Sequence, residues 1–110
     1  MTTVLNKRER LALWKLLTEG GRTEFMIGGQ LVGFGKVTLD RLTELGLLEV
    51  GPSDRFYGES GWRVADNGHR AVYGMTHAEV MALPEGTKVL ELKVWSWPPT
   101  GEPRVFPPRP

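Results

Sequence analysis

The 110-residue chain is long enough to bury a core of its own, and its 40% hydrophobic and 25% charged residues are typical of a soluble globular protein. It contains no cysteine, which excludes disulfides and thiolate metal sites. The net charge of +1 is evenly distributed, so composition does not indicate the strongly basic surface of many nucleic-acid binders. No apolar run resembles a secretory signal or approaches the roughly 20 residues of a membrane span, so we expect a cytoplasmic protein without membrane contact.

A first helix is predicted over residues 7–19. Asn6 and Glu9 have the spacing of a capping box, in which each side chain bonds the backbone N–H of the other residue. Leucines occupy one face of the segment that follows. Gly20 and Gly21 end the helix, because glycine readily adopts the left-handed conformation found at helix C-termini.

Residues 22–34 are compatible with two structures. One is a short helix containing poorly placed glycines, each of which costs up to about 1 kcal/mol relative to alanine. The other is a small hairpin in which Gly28 and Gly29 supply the positive φ angles of a two-residue turn. We favour the hairpin, because mostly β-favouring apolar residues lie symmetrically about these glycines.

The clearest helical pattern covers residues 35–45 and leads into a predicted β-hairpin. Leu39 and Leu42 lie on one arc of this helix, polar residues lie on the other, and Gly46 ends it. The hairpin consists of a strand over residues 47–50, a turn-rich loop over 51–61 and a returning strand over 61–65.

Two short helices are predicted after the hairpin. Asp66 is expected to cap a helix over residues 67–73. Thr76 is expected to cap a helix over residues 77–83, in which Glu79 completes a capping box. A glycine or proline follows each of these helices and is expected to stop it.

A long strand is predicted over residues 87–97, followed by a proline-rich tail. Alternation gives this strand an apolar face and a face with charged residues and tryptophans. The first face consists of Leu90, Leu92 and Val94, and the second of Glu91, Lys93, Trp95 and Trp97. Residues 98–110 contain six prolines and are expected to be extended or disordered. We therefore divide the chain into one domain, residues 1–97, and a tail.

The run GKVTLDRLTELGLLEV, followed by a loop and GWRVADNGHRAVYG, resembles the second half of a winged helix-turn-helix domain. In that family a helix of the pattern x-T-L-x-x-L-x-x-x-G-L-[LIV] leads into a β-hairpin wing, and a [VL]-[TA]-x-x-G-x-x-[AV] helix commonly follows. The matching residues are Thr38, Leu39, Leu42, Gly46, Leu47 and Leu48, then Val64, Ala65, Gly68, Ala71 and Val72.

The resemblance covers residues 7–75 and implies an α+β fold. This fold is a winged helix, with a three-helix core and a hairpin wing, to which the chain adds a C-terminal helix, a strand and the proline-rich tail. Residues 22–34 depart from the family pattern, because the usual second helix of the helix-turn-helix is missing or degenerate there. This departure counts against standard recognition of the major groove.

The resemblance implies a small DNA-binding protein, a transcriptional regulator whose recognition helix and wing contact duplex DNA. The residues implied as DNA contacts are Lys36, Val37, Asp40 and Arg41 on the helix, with Arg55, Tyr57 and Arg63 on the wing. Asp40 and Glu44 offset the charges of Lys36 and Arg41, so an ordinary solvated helix face explains these residues equally well.

The alternative function is that of a winged-helix module that binds a protein, either a partner or a second copy, as an inhibitor or adaptor of a phage or mobile element. Its contact surface would be the wing or the pair Trp95 and Trp97, which can also simply cover the underside of the domain. Trp14 and Trp62 are expected in the core. DNA binding would be favoured if the following basic residues shared one face: Arg8, Arg10, Lys36, Arg41, Arg55 and Arg63. A mixed-sign face over residues 35–45, with exposed tryptophans elsewhere, would favour protein binding.

We expect no catalytic, cofactor or metal site and no small-molecule substrate. His69 and His77 lie eight residues apart on different predicted helices, without a nearby cysteine, so packing or surface roles explain them better than metal ligation. Residues 58–62 resemble a hydrolase nucleophile elbow, but Trp62 stands where the last glycine is required. The segment around Gly33 resembles a phosphate-binding loop, but Gln30 and Val37 replace two residues that such a loop requires. Neither segment therefore predicts an active site.

Overall fold

The structure of the protein is a computed structural model that describes residues 2–20, 25, 35–52 and 59–109. Within these ranges the chain is a mixed α+β protein, as predicted. The α-helices are α1 (Lys7–Lys15), α2 (Gly35–Glu44), α3 (Asp66–Tyr73) and α4 (His77–Met81). The strands are β1 (Thr3–Val4), β2 (Leu48–Pro52), β3 (Ser60–Val64), β4 (Lys88–Leu90), β5 (Ser96–Trp97) and β6 (Arg104–Phe106). Apart from Phe25, the segment 22–34 with its two alternative predictions lies outside the described residues.

Helix α1 begins with the predicted capping box. The Asn6 side chain accepts the Glu9 backbone N–H (2.8 Å), and the Glu9 carboxylate accepts the Asn6 backbone N–H (2.8 Å). Beyond α1, Leu16–Gly20 form a wider π-helical turn where the sequence predicts continued α-helix. In this turn the Thr18 hydroxyl donates to the carbonyl oxygen of Trp14 (2.9 Å), so a side chain competes with the backbone donors for that acceptor.

Helix α2 confirms the second predicted helix to within one residue. Leu39 and Leu42 are buried against the core. Gly46 has a φ angle of +81°, and the N–H of Leu47 donates to the carbonyl of Leu42 (3.0 Å). These are features of a Schellman-type C-terminus, which turns the chain directly into the hairpin.

Strands β2 and β3 form the predicted hairpin. They pair antiparallel, with Leu48 opposite Val64 and Val50 opposite Trp62, and their bounds differ from the prediction by one or two residues. Leu48 and Val64 are buried, and Val50 is exposed. The core therefore fixes the register, because a slip by one residue would turn the buried pair outward.

The start of α3 corrects the predicted N-cap. Ala65 is the N-cap and makes no side-chain hydrogen bond. Asp66 is the first helical residue, where its negative charge still interacts favourably with the helix dipole. Gly68 lies where α3 crosses the hairpin, since an added Cβ would meet the carbonyl oxygen of Leu47 and lie 2.8 Å from Val64 Cγ1. Only glycine permits this approach without a shift of the backbone.

Helix α4 begins with the predicted capping box and ends two residues before the predicted Leu83. The Thr76 hydroxyl accepts the Glu79 N–H (3.2 Å), and the Glu79 carboxylate accepts the Thr76 N–H (3.0 Å). The backbone hydrogen bond from Thr76, followed by that of its side chain, lowers the pKa of the Glu79 carboxyl. At the other end the N–H of Leu83 donates to the Val80 carbonyl (3.1 Å) in a tighter turn just before Pro84.

The prediction of one long strand over residues 87–97 is wrong. Strand β4 pairs with β6 and β5 pairs with β1, so two separate sheets replace the single strand. Between them Leu92 is buried, and its N–H donates to the carbonyl of Val72 (2.6 Å). The tail, expected to be extended or disordered, contributes β6, in which Phe106 lies opposite Lys88.

The core lies between α1, α2, α3 and the hairpin. The largest fully buried apolar side chains are Leu13, Leu16, Leu42, Leu47, Val64 and Val72. Half-buried Trp62, expected in the core, packs against its edge. None of the helices in the described ranges combines the length and the apolar character that a membrane crossing requires.

Candidate nucleic-acid interface

The exposed face of α2 brings together four of the residues predicted to contact DNA. Lys36, Val37, Asp40 and Arg41 are all exposed, and Glu44 is exposed one turn beyond Asp40. Val37 is 83% exposed, so it contributes almost nothing to the core. The face thus combines two cations, two carboxylates and an apolar side chain, which is the mixed-sign arrangement named above as favouring protein binding.

Arg41 is held by a carboxylate from α1. Its Nε donates to Oε2 of Glu9 (2.9 Å), while Oε1 of Glu9 accepts the backbone N–H of Asn6. The Glu9 side chain is 4% exposed, whereas that of Arg41 is 56% exposed. The buried carboxylate therefore anchors one edge of the guanidinium and leaves more than half of the arginine side chain in contact with solvent.

The N-terminal turn of α2 favours anions. This turn contains no acidic residue, and Lys36 within it is exposed. The first N–H groups of a helix have no partners inside that helix, and the helix dipole places partial positive charge there. A phosphate is the anion that such a helix end commonly binds. Gly35 precedes Lys36 with a φ angle of +72°, and no atom of the described residues lies within 4 Å of an added Cβ there.

The hairpin residues predicted to contact DNA are only partly described. Arg55 and Tyr57 lie outside the described residues. Arg63 donates from Nε (3.2 Å) and Nη2 (2.7 Å) to Oε2 of Glu49, the residue opposite it on β2. Its guanidinium carbon also lies 4.2 Å from the ring centroid of Phe25. Arg63 is therefore engaged with Glu49 and Phe25, and its side chain is 30% exposed.

Three of the six basic residues named above as a possible DNA-binding cluster have different partners. Arg41 bonds Glu9 and Arg63 bonds Glu49. Arg10 lies over the ring of Trp95, with its guanidinium carbon 5.1 Å from the centroid. These three cations thus contact three different partners: Glu9 on α1, Glu49 on β2 and the ring of Trp95.

Of the two alternatives for Trp95 and Trp97, the burial of Trp95 fits the one in which these residues cover the underside of the domain. Trp95 is 3% exposed, and Trp97 is half-buried against the core. The reason is the break in the predicted strand at Leu92, after which the chain returns to the N-terminal segment. There the N–H of Leu5 donates to the Trp95 carbonyl (2.9 Å).

Trp14, expected in the core, is 37% exposed. It lies on the opposite side of α1 from the buried Ala12 and Leu16, and its ring packs against Trp95 with a centroid distance of 6.0 Å. Leu11 lies beside it and is 50% exposed. The sequence could have predicted this outward placement, because a rotation of 100° per residue puts Leu11 and Trp14 on a common outer face of the helix.

The two histidines meet beside α3. Their rings pack edge to face with a centroid distance of 5.7 Å, and Nδ1 of the buried His69 donates to the carbonyl of Met75 (2.6 Å). Tyr73 stacks on His69, and its pKa is raised mainly by burial and to a lesser extent by the Glu91 carboxylate. Across the described ranges, no three His, Asp or Glu side chains converge as metal ligands would.

Three local features thus position the α2 face and the hairpin. Gly46 ends the helix, Leu48 and Val64 form a buried strand pair, and Gly68 allows α3 to pack closely. The face is exposed, carries both signs of charge and has one arginine fixed from behind. No protein-family model, curated protein or solved structure matches the chain.

Proposed function

We propose that the chain is a small winged-helix protein of the transcription-regulator type, which binds duplex DNA through the exposed face of α2. The observation that carries the proposal is the fixed position of Arg41. Its guanidinium is anchored at Nε by the buried Glu9 carboxylate and remains more than half exposed. Such an arginine loses less conformational freedom when it contacts a phosphate or a base edge than a mobile one does.

The order of elements around α2 supports the winged-helix part of the proposal. α1 packs against α2, and α2 leads through Gly46 into the β2–β3 hairpin. α3 then returns across the start of the hairpin at Gly68. In the winged-helix arrangement, the helix before the hairpin enters the major groove and the hairpin contacts the neighbouring backbone.

Charge limits the strength of this interaction. Lys36 and the N-terminal end of α2 attract phosphate, but Asp40 and Glu44 lie on the same exposed face. Arg63, which was also predicted to contact DNA, is paired with Glu49 and is less exposed than Arg41 (30% against 56%), so we expect it to contribute less. Few phosphate contacts remain, so we expect micromolar affinity with a shallow dependence on salt, since each contact adds about 0.9 to the logarithmic slope.

Fluorescence anisotropy with labelled mixed-sequence duplex DNA at about 50 and about 200 mM salt tests the proposal. We expect binding at the lower salt that weakens at the higher. Lys36→Glu should abolish it, because the reversed charge repels phosphate at the helix end. Lys88→Glu, an equal charge change at an exposed position on β4, is the matched control and should retain binding. Absence of binding at the lower salt, or equal losses in both variants, would refute the proposal.

A protein-binding module is the second candidate function. The observation that favours it is the exposure of Leu11 and Trp14 on one face of α1, beside the buried Trp95. Neighbouring apolar side chains with this exposure are common at protein–protein interfaces. Size-exclusion chromatography with light scattering separates a homodimer from a monomer that binds another protein.

A further inference from the structure

The outer face of α1 and the segment that precedes β5 form an open cleft of about 570 Å³. We name it the α1 groove. Its lining includes Lys7, Arg10, Leu11, Trp14, Glu91 and Trp95. The residues proposed to bind DNA on α2 are not part of this lining, so the groove is a separate surface.

The floor of the α1 groove is apolar and aromatic. Trp14 rests on Trp95 with an interplanar angle of 46°, and the buried Trp95 gives it a fixed support. Leu11 stands beside Trp14 with half of its surface exposed. The opposite side of α1 faces the core and Trp14 packs on Trp95, yet half of Leu11 and more than a third of Trp14 remain exposed on the groove side. Their exposure is explained if a third side chain packs between them.

The α1 side of the groove is positively charged. Lys7 and Arg10 are exposed there, and no carboxylate among the described residues forms an ion pair with either of them. Arg10 is held against the ring of Trp95, so its charge stays next to the apolar floor. Glu91, on the opposite wall, balances only one of the two cations.

We propose that the α1 groove binds an acidic amphipathic segment of a partner protein. An apolar side chain of that segment packs between Leu11 and Trp14. Carboxylates next to it in the partner sequence pair with Lys7 and Arg10. An amphipathic helix presents this combination through apolar residues at i and i+4 with acidic neighbours. The proposal holds whether or not α2 binds DNA.

Charge complementarity selects this partner over the other candidates. A basic segment would place like charges opposite Lys7 and Arg10, and an uncharged apolar segment would leave both cations without ion-pair partners. The proline-rich tail of a second copy carries Arg104 and Arg109 against the single carboxylate of Glu102, so its net charge is positive, like that of the α1 side of the groove. An acidic segment both satisfies the two cations and buries the exposed apolar floor.

The test uses the full chain and a fluorescein-labelled synthetic helix-forming peptide with leucines at i and i+4 and glutamates at the remaining outer positions. Anisotropy should give a Kd in the range of about 10–100 µM, as expected for a small open groove. A peptide with lysine in place of every glutamate, and another with serine in place of every leucine, should each bind at least about tenfold more weakly.

Variants of the protein locate the site. Leu11→Ser should weaken binding of the acidic peptide about tenfold, because it removes half of the apolar floor. Met81→Ser, at an apolar residue on α4 that is even more exposed, is the matched control and should leave Kd unchanged. Lys7→Glu should weaken binding of the acidic peptide and strengthen binding of the lysine peptide. Circular dichroism shows whether each variant is folded before it is used.

Three results would overturn the proposal. One is the absence of binding to the acidic peptide at millimolar concentration. Another is equal affinity for the acidic and lysine peptides, which would mean that charge does not select the partner. The third is a homodimer in sedimentation experiments that Leu11→Ser dissociates, since a second copy would then occupy the groove.

Discussion

The contact between Glu9 and Arg41 is expected to couple the two residues energetically. Arg41→Gln leaves a buried carboxylate without its charged partner, a change that costs about 1–3 kcal/mol. Glu9→Gln keeps the shape of the side chain and an acceptor for Asn6 but removes the negative charge. Hydrogen bonds to charged groups contribute about 1.5–3 kcal/mol, whereas exposed ion pairs contribute about 0.2–1 kcal/mol.

This pair lies between those limits, because Glu9 is 4% exposed and Arg41 is 56% exposed. We therefore expect a coupling energy of about 1 kcal/mol in a double-mutant cycle of Glu9→Gln and Arg41→Gln. Urea unfolding of the wild type, both single variants and the double variant gives the four free energies that the cycle requires.

A second cycle on Lys15 and Glu19 provides the control. Their ion pair is also short (3.3 Å), but both side chains are substantially exposed and the pair spans one helical turn. We expect a coupling of about 0.3 kcal/mol there. If the coupling between Glu9 and Arg41 is no larger than this, the buried carboxylate does not anchor the arginine, and Arg41 is not preorganised for DNA binding.

Four further predictions test other parts of the fold and the proposed interface. Gly68→Ala should destabilise the protein by more than about 2 kcal/mol in urea unfolding, although alanine favours helix, because its Cβ meets the Leu47 carbonyl; unchanged stability would contradict that packing. Thr76→Ala should cost about 1 kcal/mol in the same assay through loss of the N-cap. Because the pKa of Glu79 is lowered, its ionised carboxylate contributes fully to stability above the ordinary glutamate pKa, and this contribution is lost as the pH falls through the lowered value. Glu79→Gln should therefore reduce the acid-side decrease of the unfolding free energy with falling pH. Asp40→Asn should tighten DNA binding about two- to fivefold at about 50 mM salt, since it removes a carboxylate from the proposed interface, and a loss of affinity would place the interface elsewhere.

Local signals predicted the starts of α1 and α4 and the end of α2. The capping boxes of Asn6 with Glu9 and of Thr76 with Glu79 involve residues three apart, so sequence spacing alone identifies them. The end of α2 at Gly46 was also predictable from local sequence, because this type of helix end requires a residue in the left-handed conformation regardless of distant contacts. The misplaced cap of α3 has a similar local cause: aspartate is also favourable at the first helical position.

Features that depend on distant partners were not predictable from local pattern. Residues 87–97 alternate as one strand does, yet the N–H of Leu92 bonds Val72 and the chain divides between two sheets. The second sheet requires β6, which lies in a proline-rich segment that composition assigns to a tail. The anchoring of Arg41 joins residues 32 positions apart, so sequence could identify its charge but not the carboxylate that fixes it.

The positions of Glu9 and Trp14 on α1 lead to a final prediction, which separates the two proposals. Glu9 lies on the buried side of α1 and holds Arg41, whereas Leu11 and Trp14 lie on the outer side. Because different sides of one rigid helix serve the two surfaces, Lys36→Glu should abolish DNA binding without changing affinity for the acidic peptide. In parallel anisotropy titrations, Leu11→Ser should weaken binding of the acidic peptide about tenfold without changing the DNA affinity.

Saturating peptide should also leave the DNA affinity unchanged, because neither proposed ligand requires movement of α1. A loss of both activities in either folded variant would mean that the surfaces are not independent. A strong effect of the peptide on DNA affinity would show instead that α1 transmits binding from one side to the other through the contact between Glu9 and Arg41. The Glu9→Gln variant would then be expected to remove that coupling.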